Sequence, residues 1–145
     1  ENEAPPIYFY GTNLSHKHLP EMQQYIGLDN PPFFIPSVGK YMHGMIVQVP
    51  IYLTESLNTA NRPQKIHDVL SQHYDSSNFV TVNPLDTART PVEISPEKLN
   101  HSNMLEINLF SNKEETQCLL TATFDNLGKG ASRAAIQSMD LMLDL

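Results

Sequence analysis

Thiols, positive charge and long apolar runs are all scarce in this 145-residue chain. Cys118 is the only cysteine, so no internal disulfide can form, which points to a reducing compartment and makes the cytoplasm the expected location. Nine Lys plus Arg stand against sixteen Asp plus Glu, a formal charge of −7 that disfavours attraction to nucleic acid or to an anionic membrane. No apolar run approaches the roughly 20 residues a bilayer-spanning helix needs, and the opening Glu1-Asn-Glu-Ala-Pro-Pro6 has no signal-peptide pattern. The sequence therefore reads as soluble. There is no internal repeat, and no low-complexity tract beyond the short acidic, proline-bearing start. The length suits a single domain, 1–145, with one core. The chain has no initiating Met and runs almost directly into a strand pattern, so it is expected to be a piece of a longer protein.

The apolar patterning gives the elements. Ile7-Tyr-Phe-Tyr10 is a short aromatic strand stopped by Gly11. Leu19 to Ile26 predicts a short helix, with Pro20 in its first turn, Glu21 at its positive end and Gly27 as its stop. Pro31-Pro-Phe-Phe-Ile-Pro36 is held extended by its prolines, and Ser37 to Gly44 reads as a polar loop. Met45 to Leu53 is the strongest strand, and Pro50 marks it as an edge or a bulge. Asn61 to Tyr74 predicts a helix with Asn61 as its cap; Ile66, Val69, Leu70, His73 and Tyr74 form one stripe to lay on a sheet. Phe79 to Val82 is a short strand, and Asn83 to Asn100, with three prolines, reads as irregular. Met104 to Phe110 alternates, Ser111 to Glu115 turns, and Thr116 to Phe124 returns as an antiparallel hairpin partner. After the turn Asp125 to Gly130, a helix apolar nearly all round runs from Ala131 to Leu145. Such a helix needs cover on more than one side, some of it from outside this chain. The order of elements predicts an α+β fold, a mostly antiparallel mixed sheet carrying helices on one face and leaving the other for oligomerisation.

Several residues could carry chemistry. His16 and His18, at the approach to a helix N-terminus, have three readings: metal ligation, acid–base work, or solvated loop residues. Metal ligation is the weaker of the first two, because no cysteine lies near and Glu21 adds only one ligand. Glu21 could orient an imidazole or hold an ammonium group. Lys40 and His43 are cations available to an anionic substrate, or else ordinary solvated loop charges. Cys118 sits in a strand with no histidine or helix N-terminus beside it, which favours packing over nucleophilic chemistry. His67 and His73 read as surface and boundary residues.

Four separated segments, reaching from near residue 8 to residue 143, resemble the N-acetyl-gamma-glutamyl-phosphate reductase family. Asp125-Asn-Leu-Gly-Lys-Gly-Ala131 with Ala135-Ile-Gln-Ser-Met139 is similar to its carboxy-terminal signature, and more loosely to that of aspartate-semialdehyde dehydrogenases. Ser15-His-Lys-His-Leu-Pro-Glu21 is similar to the family's His-Arg-His-x-Pro-Glu. Phe34 to Gly44 resembles a segment that usually reads Phe-Thr-Pro-His-Leu and then Arg-Gly, with Ser37 replacing the histidine and His43 the arginine. Tyr74, Phe79, Val80 and Asn103 also fit the family's spacing.

The resemblance implies a glyceraldehyde-3-phosphate dehydrogenase-like carboxy-terminal domain, the substrate and dimerisation part of a larger enzyme in arginine biosynthesis. That enzyme reduces N-acetyl-glutamyl 5-phosphate to its semialdehyde with NADPH, through a thioester on a cysteine. By the match His16 is the first candidate for the acid–base residue and His18 the second, Glu21, Lys40 and His43 lie near substrate, and Asn126 with Gly130 lies near the nicotinamide of NADP. This chain has neither a Gly-x-Gly-x-x-Gly fingerprint nor a cysteine in a Gly-Cys-Tyr-Pro context, so the nucleotide-binding domain is expected elsewhere and the chain alone is expected to be catalytically silent. The alternatives are a noncatalytic dimerisation module of the same fold, suggested by Ser37 and His43, and a related semialdehyde dehydrogenase.

Overall fold

A computed structural model describes residues 5–53, 61–86 and 93–144. The expectations for Glu1 to Ala4, for part of the 83–100 segment and for Leu145 lie wholly or partly outside these residues. The chain divides into two compact units, Glu1–Met42 and His43–Leu145.

In the first unit, β1 (Ile7–Phe9) pairs antiparallel with β2 (Ser37–Gly39), matching Ile7 to Gly39 and Phe9 to Ser37. The loop expected from Ser37 thus begins as a strand. Its polar residues form no apolar alternation, but the amides of Tyr10 and Lys40 extend the ladder to Pro36 O and Pro6 O, both at 3.0 Å. Between the strands lies α1 (Leu19–Ile26), closed by Gly27 in the left-handed conformation at φ 74°. Leu19 is the buried hydrophobic residue here.

The second unit is the α+β fold that the pattern predicts. β3 (Met45–Tyr52), β4 (Val80–Val82), β5 (Leu105–Ser111) and β6 (Gln117–Phe124) form a sheet in the order β3-β6-β5-β4. Only the β4–β5 pair is parallel. β3 is an edge strand, as Pro50 requires. The register puts Ile51, Leu109, Leu120 and Cys118 on one face, where Leu53, Leu109 and Cys118 form the core with Ile66 and Leu85 packed on it. Ile66 belongs to α2 (Arg62–Tyr74), which lies on β4 and β5. Asn61 precedes α2 at φ 58° without a side-chain capping bond, and Val69 is exposed, so the packed stripe is Pro63, Ile66, His67, Leu70 and Tyr74. The opposite face carries polar residues in register: Asn83 Nδ2 donates to Asn108 Oδ1 at 2.8 Å, and Asn108 Nδ2 reaches Thr121 Oγ1 at 3.5 Å.

Beyond β6 the chain makes one π-helical turn, Gly128–Ser132, and continues as α3 (Arg133–Leu143). The wide turn is closed by Gly130 N to Asp125 O at 2.9 Å and Ser132 N to Leu127 O at 3.3 Å. No residue of α3 is buried, and Leu141 and Met142 are 72% and 83% exposed. No helix among the described residues is long and apolar enough to cross a membrane.

Candidate functional site

The most densely bonded point of the second unit is Asp125, at the exit of β6. The carboxylate is 3% exposed. His43 Nδ1 lies 2.9 Å from its Oδ1, Leu127 N donates to Oδ1 at 3.0 Å, and His101 N donates to Oδ2 at 2.9 Å. Burial pushes the carboxyl pKa up, but the hydrogen bond from His43 and those from the His101, Leu127 and Gly128 amides outweigh it and hold the group well below the usual carboxylate range. Asp125 is ionised, so His43 carries its hydrogen on Nδ1 and donates. His101 adopts φ 63° to bring its amide to Asp125, and its ring meets His43 edge-on at 4.7 Å.

The same knot fixes the entry to β3. Gly44 N donates to Asn126 Oδ1 at 2.7 Å, and Asn100 Nδ2 donates to His43 O at 2.9 Å. Gly44 sits at φ 114°, and a Cβ there would lie 2.2 Å from Pro96 O, so both conformation and space require glycine. Gly128 is equally confined, facing Ser102 O and the Asp125 carboxylate. Along the following helix, Lys129 Nζ donates to Gln137 Oε1 at 2.8 Å and lies 5.5 Å from the centre of the Phe79 ring. Asn103 Nδ2 donates to the same Gln137 oxygen at 3.0 Å.

In the first unit His16 and His18 come together, their rings 4.7 Å apart and tilted at 63°. Phe34 meets the His16 ring edge-on at 4.9 Å, and Tyr10 lies 6.0 Å away. His18 N donates to His16 Nδ1 at 3.3 Å. Among the described residues no carboxylate pairs with either imidazole. Glu21 stands exposed in the first turn of α1, and Lys40 is exposed just after β2.

The candidates thus divide between the units. His16, His18, Glu21 and Lys40 belong to the first, and His43, Asn126 and Gly130 to the second. His43 spends Nδ1 on Asp125, so a ligand could meet only its Nε2 edge. Asn126 uses Oδ1 on Gly44 and keeps its amide N–H₂ to donate, while Gly130 backs onto Phe124, whose ring would lie 3.0 Å from an added Cβ. Two of these residues are not among the sequence candidates: Asp125, which the sequence marks as a turn former and as part of the closing motif, and His101, which lies between the irregular segment and the β5 pattern. The signal for Asp125 was available: an Asp two residues before an amide it can accept, at the mouth of a helix. Cys118 is buried, and burial pushes its thiol pKa up, which fits packing. Among the described residues no three His, Cys, Asp or Glu side chains gather to hold a metal.

Comparison with known proteins gives relatives over nearly the whole chain. A protein of Burkholderia cenocepacia named N-acetyl-gamma-glutamyl-phosphate reductase is 44% identical over 140 residues, covering 97% of this chain and 44% of the relative. N-acetyl-gamma-glutamyl-phosphate reductase 2 of Pseudomonas putida is 44% identical over 141 residues, covering 97% and 45%. The Rhizobium meliloti reductase of the same name is 45% identical over 138 residues, covering 95% and 44%. The chain therefore spans less than half the length of these relatives. The family described as semialdehyde dehydrogenase, dimerisation domain, matches residues 2–126, across both units and through the Asp125 knot. On that match, the chain belongs to the semialdehyde dehydrogenase dimerisation-domain family.

Proposed function

We propose that this chain is the carboxy-terminal part of an N-acetyl-gamma-glutamyl-phosphate reductase, a cytoplasmic oxidoreductase that converts N-acetyl-glutamyl 5-phosphate to the semialdehyde with NADPH. The observation that carries the reading is the 44% identity over 97% of the chain to proteins of that name, with His16 inside the aligned length. In this reading His16 is the acid–base residue, with His18 as the second candidate. Glu21 and Lys40 lie near the substrate, Lys40 as the cation suited to its anionic groups. NADP supplies the hydride and is held mainly by a nucleotide-binding domain outside this chain. Asn126 fits as a contributor, since its side-chain N–H₂ remains to donate and its Oδ1 is anchored by Gly44.

The exposed apolar surface supports the partners. α3 presents Ile136, Met139, Leu141, Met142 and Leu143, a face suited to the nucleotide-binding domain of the same protein. β3 leaves Val47, Val49 and Tyr52 exposed on an edge strand, suited to a second copy in a homo-oligomer. The test is NADPH oxidation by the intact protein with N-acetyl-glutamyl 5-phosphate. His16→Ala should lower kcat by about 10²- to 10⁴-fold while leaving the melting temperature in place. Absence of turnover by the intact wild type, or equal loss of stability and activity in the variant, refutes it.

One observation favours the alternative of a noncatalytic dimerisation module. His43, which stands where the resemblance expects an arginine, is turned onto Asp125, and an imidazole is a poorer anion anchor than a guanidinium. An intact protein that dimerises but binds no acyl phosphate would establish that reading instead.

A further inference from the structure

We propose that His43 is a positioning residue for Asn126 rather than an anchor for the substrate's anionic groups, holding the Asn126 side-chain amide ready to donate to a carbonyl oxygen of the nicotinamide. This deepens the reading above and rests on Asn126 lying beside the cofactor. The β3–β6 ladder ends at Met45 opposite Phe124. Beyond that pair the two chains are joined through side chains instead: His43 Nδ1 donates to Asp125 Oδ1 at 2.9 Å, and Gly44 N donates to Asn126 Oδ1 at 2.7 Å. Both bonds are part-buried and span 82 positions. Two consecutive residues thus hold two consecutive residues.

An amide N–H can only donate, so the contact from Gly44 N selects the orientation of the Asn126 amide: Oδ1 is committed to β3's entry, and Nδ2 keeps both hydrogens. Among the described residues Nδ2 has no protein acceptor. The Asp125 oxygen that accepts from His43 also accepts Leu127 N at 3.0 Å, so one oxygen links His43 to the residues on either side of Asn126. Asn100 Nδ2 holds the other end of His43, donating to its carbonyl at 2.9 Å. The imidazole itself is poorly placed to anchor an anion. Its side chain is 14% exposed, and an ionised carboxylate 2.9 Å from Nδ1 repels a second negative charge. What His43 supplies is one N–H donor at a fixed place, which a glutamine could also supply and a leucine could not.

Nitrogen-15 NMR of this chain reads the positioning without turnover. The Asn126 Nδ2–H₂ signals are assigned by their loss in Asn126→Ala; their relaxation should match that of the Leu127 backbone amide in the wild type and show free side-chain motion in His43→Leu. A mobile wild-type amide overturns the proposal, even where His43→Leu does not fold. In the intact enzyme His43→Leu should raise KM for NADPH about tenfold or more, the loss of one hydrogen bond to a charged group, and leave KM for the acyl phosphate within about twofold. His43→Gln, which can donate to the same carboxylate, should stay within about threefold of wild type in both. An unchanged KM for NADPH in His43→Leu, a KM for the acyl phosphate that rises with it, a Gln variant no better than the Leu variant, or an Asn126 amide equally ordered in His43→Leu overturns the proposal alone. Unchanged kinetics in Asn126→Ala overturns it together with the reading of Asn126 on which it rests.

Discussion

Replacing Asp125 with alanine should be the most damaging change available at the strand-to-helix exit. The substitution strips the acceptor from the donors around it, three of them at measured distances: His43 Nδ1, His101 N and Leu127 N, at 2.9, 2.9 and 3.0 Å. Each buried donor left without a partner costs about 1–3 kcal/mol. The three share one carboxylate and are not additive, so a loss of about 3–5 kcal/mol is expected, against about 5–15 kcal/mol for a whole domain. Urea unfolding at pH 7, followed by far-UV circular dichroism because the chain has no tryptophan, measures it. Asp125→Asn keeps the shape and one oxygen acceptor and should lose roughly half as much. The pH dependence carries a sign. The folded pKa of Asp125 lies below its unfolded value, so the carboxylate's contribution is complete above the ordinary range near pH 4 and is lost as pH falls through the lower folded value. The stability difference between wild type and Asp125→Asn should therefore be flat from about pH 7 to about pH 5 and shrink below about pH 4. A loss under about 1 kcal/mol in Asp125→Ala, or a difference that does not shrink in acid, refutes the argument.

Gly44→Ala should cost at least about 2 kcal/mol in a thermal melt, because φ 114° is strained for any L side chain and Pro96 O occupies the Cβ position. Leu109→Ala should cost about 2–5 kcal/mol by urea titration, since Leu109 is 1% exposed at the centre of the core. Cys118 should react with a thiol reagent at least about 100-fold more slowly in the folded chain than in urea, because it is buried and its thiolate is disfavoured. Paired replacement of Leu141 and Met142 by serine should leave the urea midpoint of this chain within the error of measurement, as both side chains are exposed, yet reduce self-association seen by light scattering.

The regular elements were legible because their signals are local. Alternation in Met104 to Phe110 and the return from Thr116 fixed the hairpin, and Gly27 fixed the end of α1. What escaped the sequence was long-range. β2 forms through backbone pairing with β1, Gly39 facing Ile7 across 32 positions, and pairing of backbone atoms leaves little mark on side-chain pattern. Just beyond the irregular stretch, His101 stands at φ 63° and gives its amide to Asp125, a bond between residues 24 apart. His43 was legible as a cation but not as the partner of Asp125, which lies 82 positions on. Proline and glycine announce a break in a pattern; they do not say which amide will be delivered across the break.

The two histidine settings separate a structural role from a chemical one. At Asp125 the polar contacts point inward: backbone amides and one imidazole close on a buried carboxylate, and the strain at His101 is balanced within that knot. At His16 the contacts are few and leave one polar atom over, in a unit whose buried hydrophobic side chain is Leu19. A group that must meet a reacting atom needs its position held to within about 0.5 Å. One amide and two aromatic edges supply direction but little rigidity, because Phe34 and His18 lie outside helix and strand. The remaining restraint has to come from whatever covers Phe9, Phe33 and Ile35, which are 61%, 84% and 53% exposed. On this argument the intact protein should order the His16 ring more tightly than the 145-residue chain does. Histidine side-chain relaxation measured on both forms would show it, and equal mobility in the two would mean that His16 is already set by its own loop.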